Sequence, residues 1–293
     1  MENKYLIKKD LKILIEESNK SIEDIAKNIG VSSRTIDNIL SDNVIPTNDI
    51  VEKIYSYAYG DGYRFNKIKE EIYKETYKEL VLFHGASKEI DEIKYNGSRD
   101  NCDFGNGFYL GETYNQASSF VYDVPFSSVY VFRLDLTDLK VIEFETDIDW
   151  MLLVCHFRKM ITEYDNNAII VKLLEKIKNA DVIIAPIADN KMFNIMRQFG
   201  DGDITTAQAI HSLATSGLGK QYVLKTEKAI SCLRQLERLF ISINERNSIA
   251  KIMEDRASEI DTKLKMSKRE FRGEGQYIDE LFKWENLIHM DLN

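Results

Sequence analysis

The sequence predicts an α+β protein: an all-α N-terminal module over residues 1–60, a helical connector over 61–78, a strand-rich central domain over 79–230 and a helical C-terminal extension over 231–293. Three observations predict it. Apolar residues recur at helical spacing through the first segment. In the middle, short apolar runs such as ELVLFHG, SSVYVFRLDL, LKVIEF, ADVIIAPIA and QYVLKT alternate with helical patterns, as a mixed domain requires. Past residue 230, charged stretches with helical periodicity return.

Composition narrows the function classes. The 293 residues are 44% hydrophobic, enough for a sizeable core and against wholesale disorder. No apolar run approaches the ~20 residues of a membrane helix. The opening, MENKYLIKKDLKILIEES, lacks the cationic-then-apolar pattern of a secretory signal, so a cytoplasmic protein that meets no membrane is expected. The net charge of -9 opposes nonspecific binding to phosphate backbones, although a local patch can differ. Cys102, Cys155 and Cys232 lie far apart and read as reduced thiols. With four histidines and no HExxH or CxxC, no metal site is expected.

In the N-terminal module, Ile7, Leu11, Leu14 and Ile15 share a helix face. Ser21 caps a second helix with Asp24 in the capping-box position, Ile22, Ile25 and Ala26 point inward, and Gly30 ends it. Ser32 or Ser33 opens a third helix, SRTIDNIL, and a fourth, DIVEKIYSYA, follows Pro46. SIEDIAKNIGVSSRTIDNIL resembles the helix-turn-helix of the phage-repressor class. The resemblance implies that Ser33, Arg34 and Asn38, with Ser32 and Thr35, face DNA. Eight basic against ten acidic residues up to Gly60 oppose strong binding, and a dimerisation or docking module is the other reading. In the connector, Tyr63, Phe65, Tyr73 and Tyr77 suit packing onto the next domain rather than a flexible tether. In the extension, Lys263, Lys265, Lys268, Arg269 and Arg272 form the densest basic run: a solvated helix face, or a docking site for a nucleic acid or an acidic partner.

Three strings of the central domain carry chemistry. LFHGAS ends a strand with His84-Gly85. DFGNGFYLGETYNQASSF sets Gly105 and Gly107 around Asn106, with Tyr109 next and Phe120 eleven residues on. GKQYVLKT opens a strand at Gln221 after a Gly/Ser-rich loop. Glycines let a backbone approach a flat ligand. A Tyr and a Phe can stack on its two faces. A free backbone N–H and C=O beside His84 can pair with a carboxamide. Nicotinamide is a flat ring bearing a carboxamide, so the set suits it.

In order and spacing, FHGAS, FGNGFYL and QYVLK resemble ADP-ribosyltransferases of the diphtheria-toxin and poly(ADP-ribose) polymerase branch, over about 150 residues, and most of all an uncharacterised bacterial family of such domains. The resemblance implies a split-β-sheet domain with NAD as substrate. In it His84 binds the adenosine-side ribose, the Gly85 backbone and Gly107 hold the nicotinamide end, and Tyr109 and Phe120 sandwich the ring. Ser118 or Gln116 serves where relatives carry Ser in place of Ala117. Gln221 stands where the polymerases carry their catalytic Glu. An amide keeps a hydrogen bond but supplies no negative charge, which speaks against polymer elongation. Glu112 and Asp103 are candidates to orient an acceptor, and Asp189 and Asn190 sit at a strand end. His156 and His211 read as core or surface residues. The implied function is mono-ADP-ribosylation of a macromolecule, protein or nucleic acid, by a toxin or defence effector, with an antitoxin or a second copy as further partners. An NAD-binding regulator without turnover and an NAD glycohydrolase are the alternatives.

Overall fold

The computed structural model describes residues 5–214 and 219–283. Helices α1 (Ile7–Ser18), α2 (Ile22–Ile29), α3 (Ser33–Leu40), α4 (Asn48–Gly60) and α5 (Phe65–Thr76) come first. Strands β1 (Leu80–Ala86) and β2 (Phe108–Gly111) follow, then α6 (Tyr114–Ser119), β3 (Ser128–Leu134), β4 (Val141–Glu143), α7 (Ile148–Phe157) and α8 (Ala168–Ile177). The order closes with β5 (Val182–Pro186), α9 (Asn190–Gly200), α10 (Thr206–Ala214), β6 (Lys220–Leu224), α11 (Glu227–Ser231), β7 (Leu233–Phe240) and α12 (Ile243–Glu270). The chain is α+β, and among its described strand pairings only β4–β5 is parallel. No helix among the described residues is long and apolar enough to cross a membrane.

The chain divides into two units. The first takes residues up to Asp91, Thr113–Leu134 and Leu233–Met253; the second takes Glu92–Glu112, Asp135–Cys232 and residues from Glu254 on. In the first unit the chemistry of the caps sets the helix boundaries. The Ser21 hydroxyl accepts from the Asp24 N–H, and Gly30, at φ 77, turns its own N–H back to Ala26 and Lys27. Val31 leads to Ser32, which caps α3 through the Thr35 N–H. Ile7, Leu11, Leu14, Ile25, Ile36 and Ile54 close the core of this helical module, and Phe240 of β7 packs into it. The first unit's strands run β1-β3-β7, antiparallel throughout. Their apolar face, with Val81, Phe83, Val129, Val131 and Leu239, packs on Tyr114, Ala117 and Val121, and Tyr73 and Tyr77 of the connector pack against that cluster.

One buried ionic cluster ties the helices to β7. Lys69 Nζ lies 2.6 Å from Asp10 Oδ2 and 2.5 Å from Glu237 Oε1. The Tyr55 hydroxyl donates to Asp10, and the Tyr73 hydroxyl donates to Glu237 at 2.6 Å. Nearby, Asn66 Nδ2 donates to the Phe240 carbonyl, the Tyr114 hydroxyl and Glu245.

The second unit's strands run β4-β5-β6-β2. Its core gathers Trp150, Met151 and Val154 of α7, Ile170 and Leu173 of α8, Met192 and Phe199 of α9, and Leu213 of α10 against Ile183, Ala185 and Val223 of the sheet.

The structure corrects the reading of the C-terminal extension. Residues 233–240 form β7, the edge partner of β3, whereas the sequence predicts helix there. The register shifts between Val131 and Phe132, opposite Glu237 and Gln235, so Leu236 is left over as a bulge. That inserted residue breaks the alternation and spaces Leu233, Leu236 and Leu239 by threes, which imitates a helix in the sequence. Helix returns at α12. Of the helical extension expected to residue 293, the last helical stretch is described as far as residue 283, and the rest lies outside the described residues.

Candidate functional site

The candidate residues fall in both units. His84, Gly85, Ser118 and Phe120 belong to the first, and Gly107, Tyr109 and Gln221 to the second.

In the first unit, β1 pairs with β3 so that His84 faces Tyr130 and Gly85 faces Val129. His84 is half-buried. A Cβ on Gly85 would stand 2.2 Å from the Ala117 carbonyl oxygen, so glycine here is what lets β1 and α6 approach. Thr113 and Gln116 form a capping box at the start of α6. That engages the Gln116 amide oxygen with the Thr113 N–H, at 2.9 Å. The Ser118 hydroxyl is buried and donates to the Asn115 carbonyl at 3.2 Å. Phe120 follows α6 and is 58% exposed; Phe126 and several other large apolar side chains of the chain are exposed as well.

In the second unit, antiparallel pairing of β2 with β6 sets Tyr109 opposite Val223 and Gly111 opposite Gln221, while β5 sets Ala185 opposite Gln221. Directly opposed residues share a face, so Tyr109 and Gln221 point to the same side of the sheet. Gly107 lies close under β6, and a Cβ there would meet Val223 at 2.5 Å. The loop from Asp103 to Gly107 is held from two sides. The Tyr109 hydroxyl donates to the Gly105 carbonyl at 2.6 Å and accepts from the Phe104 N–H at 3.1 Å. Lys225 Nζ donates to the carbonyls of Phe104, at 2.6 Å, and Asn106. Burial pushes the Tyr109 phenol well above its ordinary range and the Lys225 amine down to about 8. The Tyr109 ring packs on the helical core of its unit.

Gln221 is only 6% exposed and its amide is fully oriented. Nε2 donates to Asp103 Oδ2 at 2.8 Å and to the Pro186 carbonyl at 3.0 Å. Asp103 Oδ1 takes both Nε and Nη2 of Arg158, at 3.0 and 2.6 Å. The Arg158 guanidinium in turn lies 3.9 Å from the centre of the Phe193 ring. Glu112 accepts from the Lys220 N–H at 3.0 Å and from the Tyr222 hydroxyl at 3.3 Å. Burial and Glu112 push that phenol up to about 12.

The family model described as "Protein of unknown function (DUF3990)" matches residues 80–235, more than half of the chain. The chain belongs to the DUF3990 family. No curated protein and no solved structure matches it. The DUF3990 match opens on the first residue of β1 and ends inside β7, so it contains all the candidate NAD residues and none of α1–α5.

Other sequence candidates have local roles. Asp189 is the N-cap of α9, a helix the sequence pattern does not announce: its Oδ1 accepts from the N–H groups of Lys191 and Met192, both at 2.9 Å. His156 Nδ1 bonds Asp165 at 2.6 Å, and His211 stacks on Phe271 with ring centres 3.6 Å apart. The Gly/Ser-rich loop before Gln221 falls largely at 215–218, outside the described residues. Of the basic run, Lys268, Arg269 and Arg272 line an open cavity of about 410 Å³ with Asp203, Gln208 and Tyr277. Ser33, Arg34 and Asn38 lie on α3, with Arg34 exposed and Ile36 and Ile39 buried. No group of three or more metal-ligating side chains occurs among the described residues. Sequence reasoning missed Arg158, Pro186 and Lys225. Nothing local marks the first two, whereas Lys225, four residues beyond Gln221 on the same strand run, could have been flagged as a cation bordering the motif.

Proposed function

We propose that this chain is an NAD-dependent mono-ADP-ribosyltransferase acting on a macromolecular acceptor. One observation carries the reading. The three strings that resemble the transferases fall on strands β1, β2 and β6, and the antiparallel pairing of β2 with β6 turns Tyr109 and Gln221 to one face. The exposed Phe120 ring is accessible for the stacking role that the resemblance implies.

In this reading the glycosidic bond between nicotinamide and the ribose C1′ breaks with its electron pair leaving on nicotinamide. The cationic ribose is then taken by an acceptor heteroatom, which loses its proton. The chain supplies no covalent nucleophile. Gln221 accepts a hydrogen bond from a ribose hydroxyl, and binding roles for His84 and Phe120 are what the resemblance implies.

The test uses NAD labelled in its adenylate part, with parallel measurement of free nicotinamide. Transfer of label to protein or nucleic acid, reduced roughly tenfold at subsaturating NAD in Phe120→Ala at unchanged thermal stability, is the expected result. Equal labelling by a folded Phe120→Ala protein would overturn it. A second reading, a regulator that binds NAD without turnover, is favoured by the neutral amide at residue 221; it predicts measurable binding and no nicotinamide. Nicotinamide with free ADP-ribose and no labelled acceptor would mark a glycohydrolase. The exposed Arg34 on α3 supports a DNA contact by the helical module, and a gel-shift assay with Arg34→Ala tests it.

A further inference from the structure

We infer that Asp103 is the positioning residue for Gln221, fixing its amide so that Oε1, and never Nε2, is the atom offered to a ligand. The argument is one of hydrogen-bond inventory. A primary amide has two N–H donors on one end and an acceptor oxygen on the other. Both groups that contact the Gln221 amide, the Asp103 carboxylate at 2.8 Å and the Pro186 carbonyl at 3.0 Å, only accept. A reversed amide would set its oxygen against two oxygens, so the chemistry decides the orientation. Both donors are then spent, and Oε1 is left with no hydrogen bond among the described residues.

The consequence rests on the transferase reading proposed above. A Glu at this place would accept from the ribose hydroxyl through a carboxylate oxygen. Gln221 presents an acceptor oxygen in the same way, because Asp103 has taken the other end of its amide. Asp103 is itself 4% exposed and is held by the two-point contact with Arg158, so the anchor does not swing. Positions 103 and 221 are therefore coupled. With Asp at 103, a Glu at 221 would bring two carboxylates to hydrogen-bond distance, where they cannot both ionise. With Asn at 103, an N–H₂ group can face the Gln221 Nε2 while the Pro186 carbonyl still only accepts, so the two anchors oppose each other and the amide orientation is no longer fixed.

The experiment is a cycle on the full chain: wild type, Asp103→Asn, Gln221→Glu and the double variant Asp103→Asn/Gln221→Glu. Nicotinamide release, NAD affinity, the pH profile of release and thermal stability are measured for each. Each single variant is expected to lose roughly 10–100-fold in turnover, the usual cost of losing a group that orients another. The double variant exchanges the two roles at the 103–221 contact, the introduced amide at 103 donating to the introduced carboxylate at 221, while the Pro186 carbonyl loses its donor as it also does in Gln221→Glu alone. It is expected to return to within about tenfold of wild type. A merely structural Asp103 would lower stability in both variants that lack it and would give no recovery. Single variants within twofold of wild type, or losses that simply multiply in the double variant, overturn the inference. A second measurement needs no NAD. In ¹⁵N-labelled protein the Gln221 side-chain N–H signals are expected to exchange slowly in wild type and at least tenfold faster in Asp103→Asn, and equal exchange also overturns the inference. An absence of NAD binding with slow, Asp103-dependent amide exchange would sink the transferase reading alone. Where Asp103→Asn fails to fold, Gln221→Glu carries the test: its release profile is expected to shift with a proton shared between the two carboxylates, and an unshifted profile overturns the inference.

Discussion

In the first unit Lys69 stands between Asp10 and Glu237; the Tyr55 hydroxyl donates to the same Asp10 oxygen as Lys69, and the Tyr73 hydroxyl takes the other oxygen of Glu237. In the second unit Asp103 stands between Arg158 and the amide of Gln221. Both clusters bury carboxylates and both join segments far apart in the chain. They differ in how they end. The first leaves Asp10 Oδ1 buried without a partner among the described residues, while its other carboxylate oxygens end on Lys69, Tyr55 and Tyr73. The second ends on an amide oxygen with no partner among them. The first unit uses buried charge to hold α1, α4 and α5 to β7, whereas the second uses it to aim a single atom. A buried ion pair alone says nothing about function; what separates the two is that the unpartnered amide oxygen of Gln221, unlike Asp10 Oδ1, is not sealed in the interior.

The largest expected effect tests the first half of that contrast. Replacing Lys69 by Met keeps the volume and leaves Asp10 and Glu237 facing each other in the interior. Breaking a buried pair in this way typically costs about 3–5 kcal/mol, and here two acids lose one cation. Urea unfolding should show the loss in the midpoint. A change below about 1 kcal/mol would mean that the cluster is far more solvated than its geometry shows.

A further test in the same unit concerns pH. Burial raises the Glu245 carboxyl to about 7 against hydrogen bonds from Tyr114 and Asn66 and the charge of Arg64, which pull it down. The folded state therefore holds a proton that the unfolded chain has released, and stability falls as pH rises from about 4.5 to 7. Glu245→Gln removes that slope. It should gain about 1–3 kcal/mol above about pH 7 and nothing below about pH 4. Thermal melts across that range check the sign, and an equal gain at both ends would refute the assignment to Glu245.

Phe120→Ala sharpens the contrast from the functional side. The ring is exposed, so stability should move by less than about 0.5 kcal/mol. NAD affinity should fall roughly tenfold, the size of one aromatic stacking contact. A stability loss without an affinity loss would make Phe120 a packing residue.

The two clusters also show what the sequence can and cannot announce. Local chemistry is legible: Ser21, Gly30 and Ser32 set the turn between α2 and α3, and the strings on β1 and β6 mark their own strands, whereas FGNGFYL reads as a glycine motif and not as the short strand β2. Asp189 is visible but reads as a strand-end site, because a strand end and a helix N-cap are adjacent positions and α9 follows at once. Partners distant along the chain are not legible. Asp103 and Gln221 are separated by 118 residues, and Lys69 and Glu237 by 168, and no spacing rule connects them. β7 is hidden by its own bulge, and with it Glu237, the acid that completes the first cluster.

The smallest expected effect belongs to Lys225, which clamps the loop carrying Asp103. Burial lowers its amine from 10.5 to about 8, so between those values the unfolded chain binds a proton that the fold has shed. Stability should therefore rise with pH across that window, the reverse of the Glu245 slope. The amine is only partly buried, so water screens the effect and it should stay below about 1 kcal/mol. Lys225→Met should flatten the alkaline rise. It should also loosen the carbonyls of Phe104 and Asn106, and with them the anchor of Gln221, so turnover should fall more than stability does. A variant that loses stability and activity in proportion would place the loop in the same class as the Lys69 cluster, a part of the framework with no aim of its own.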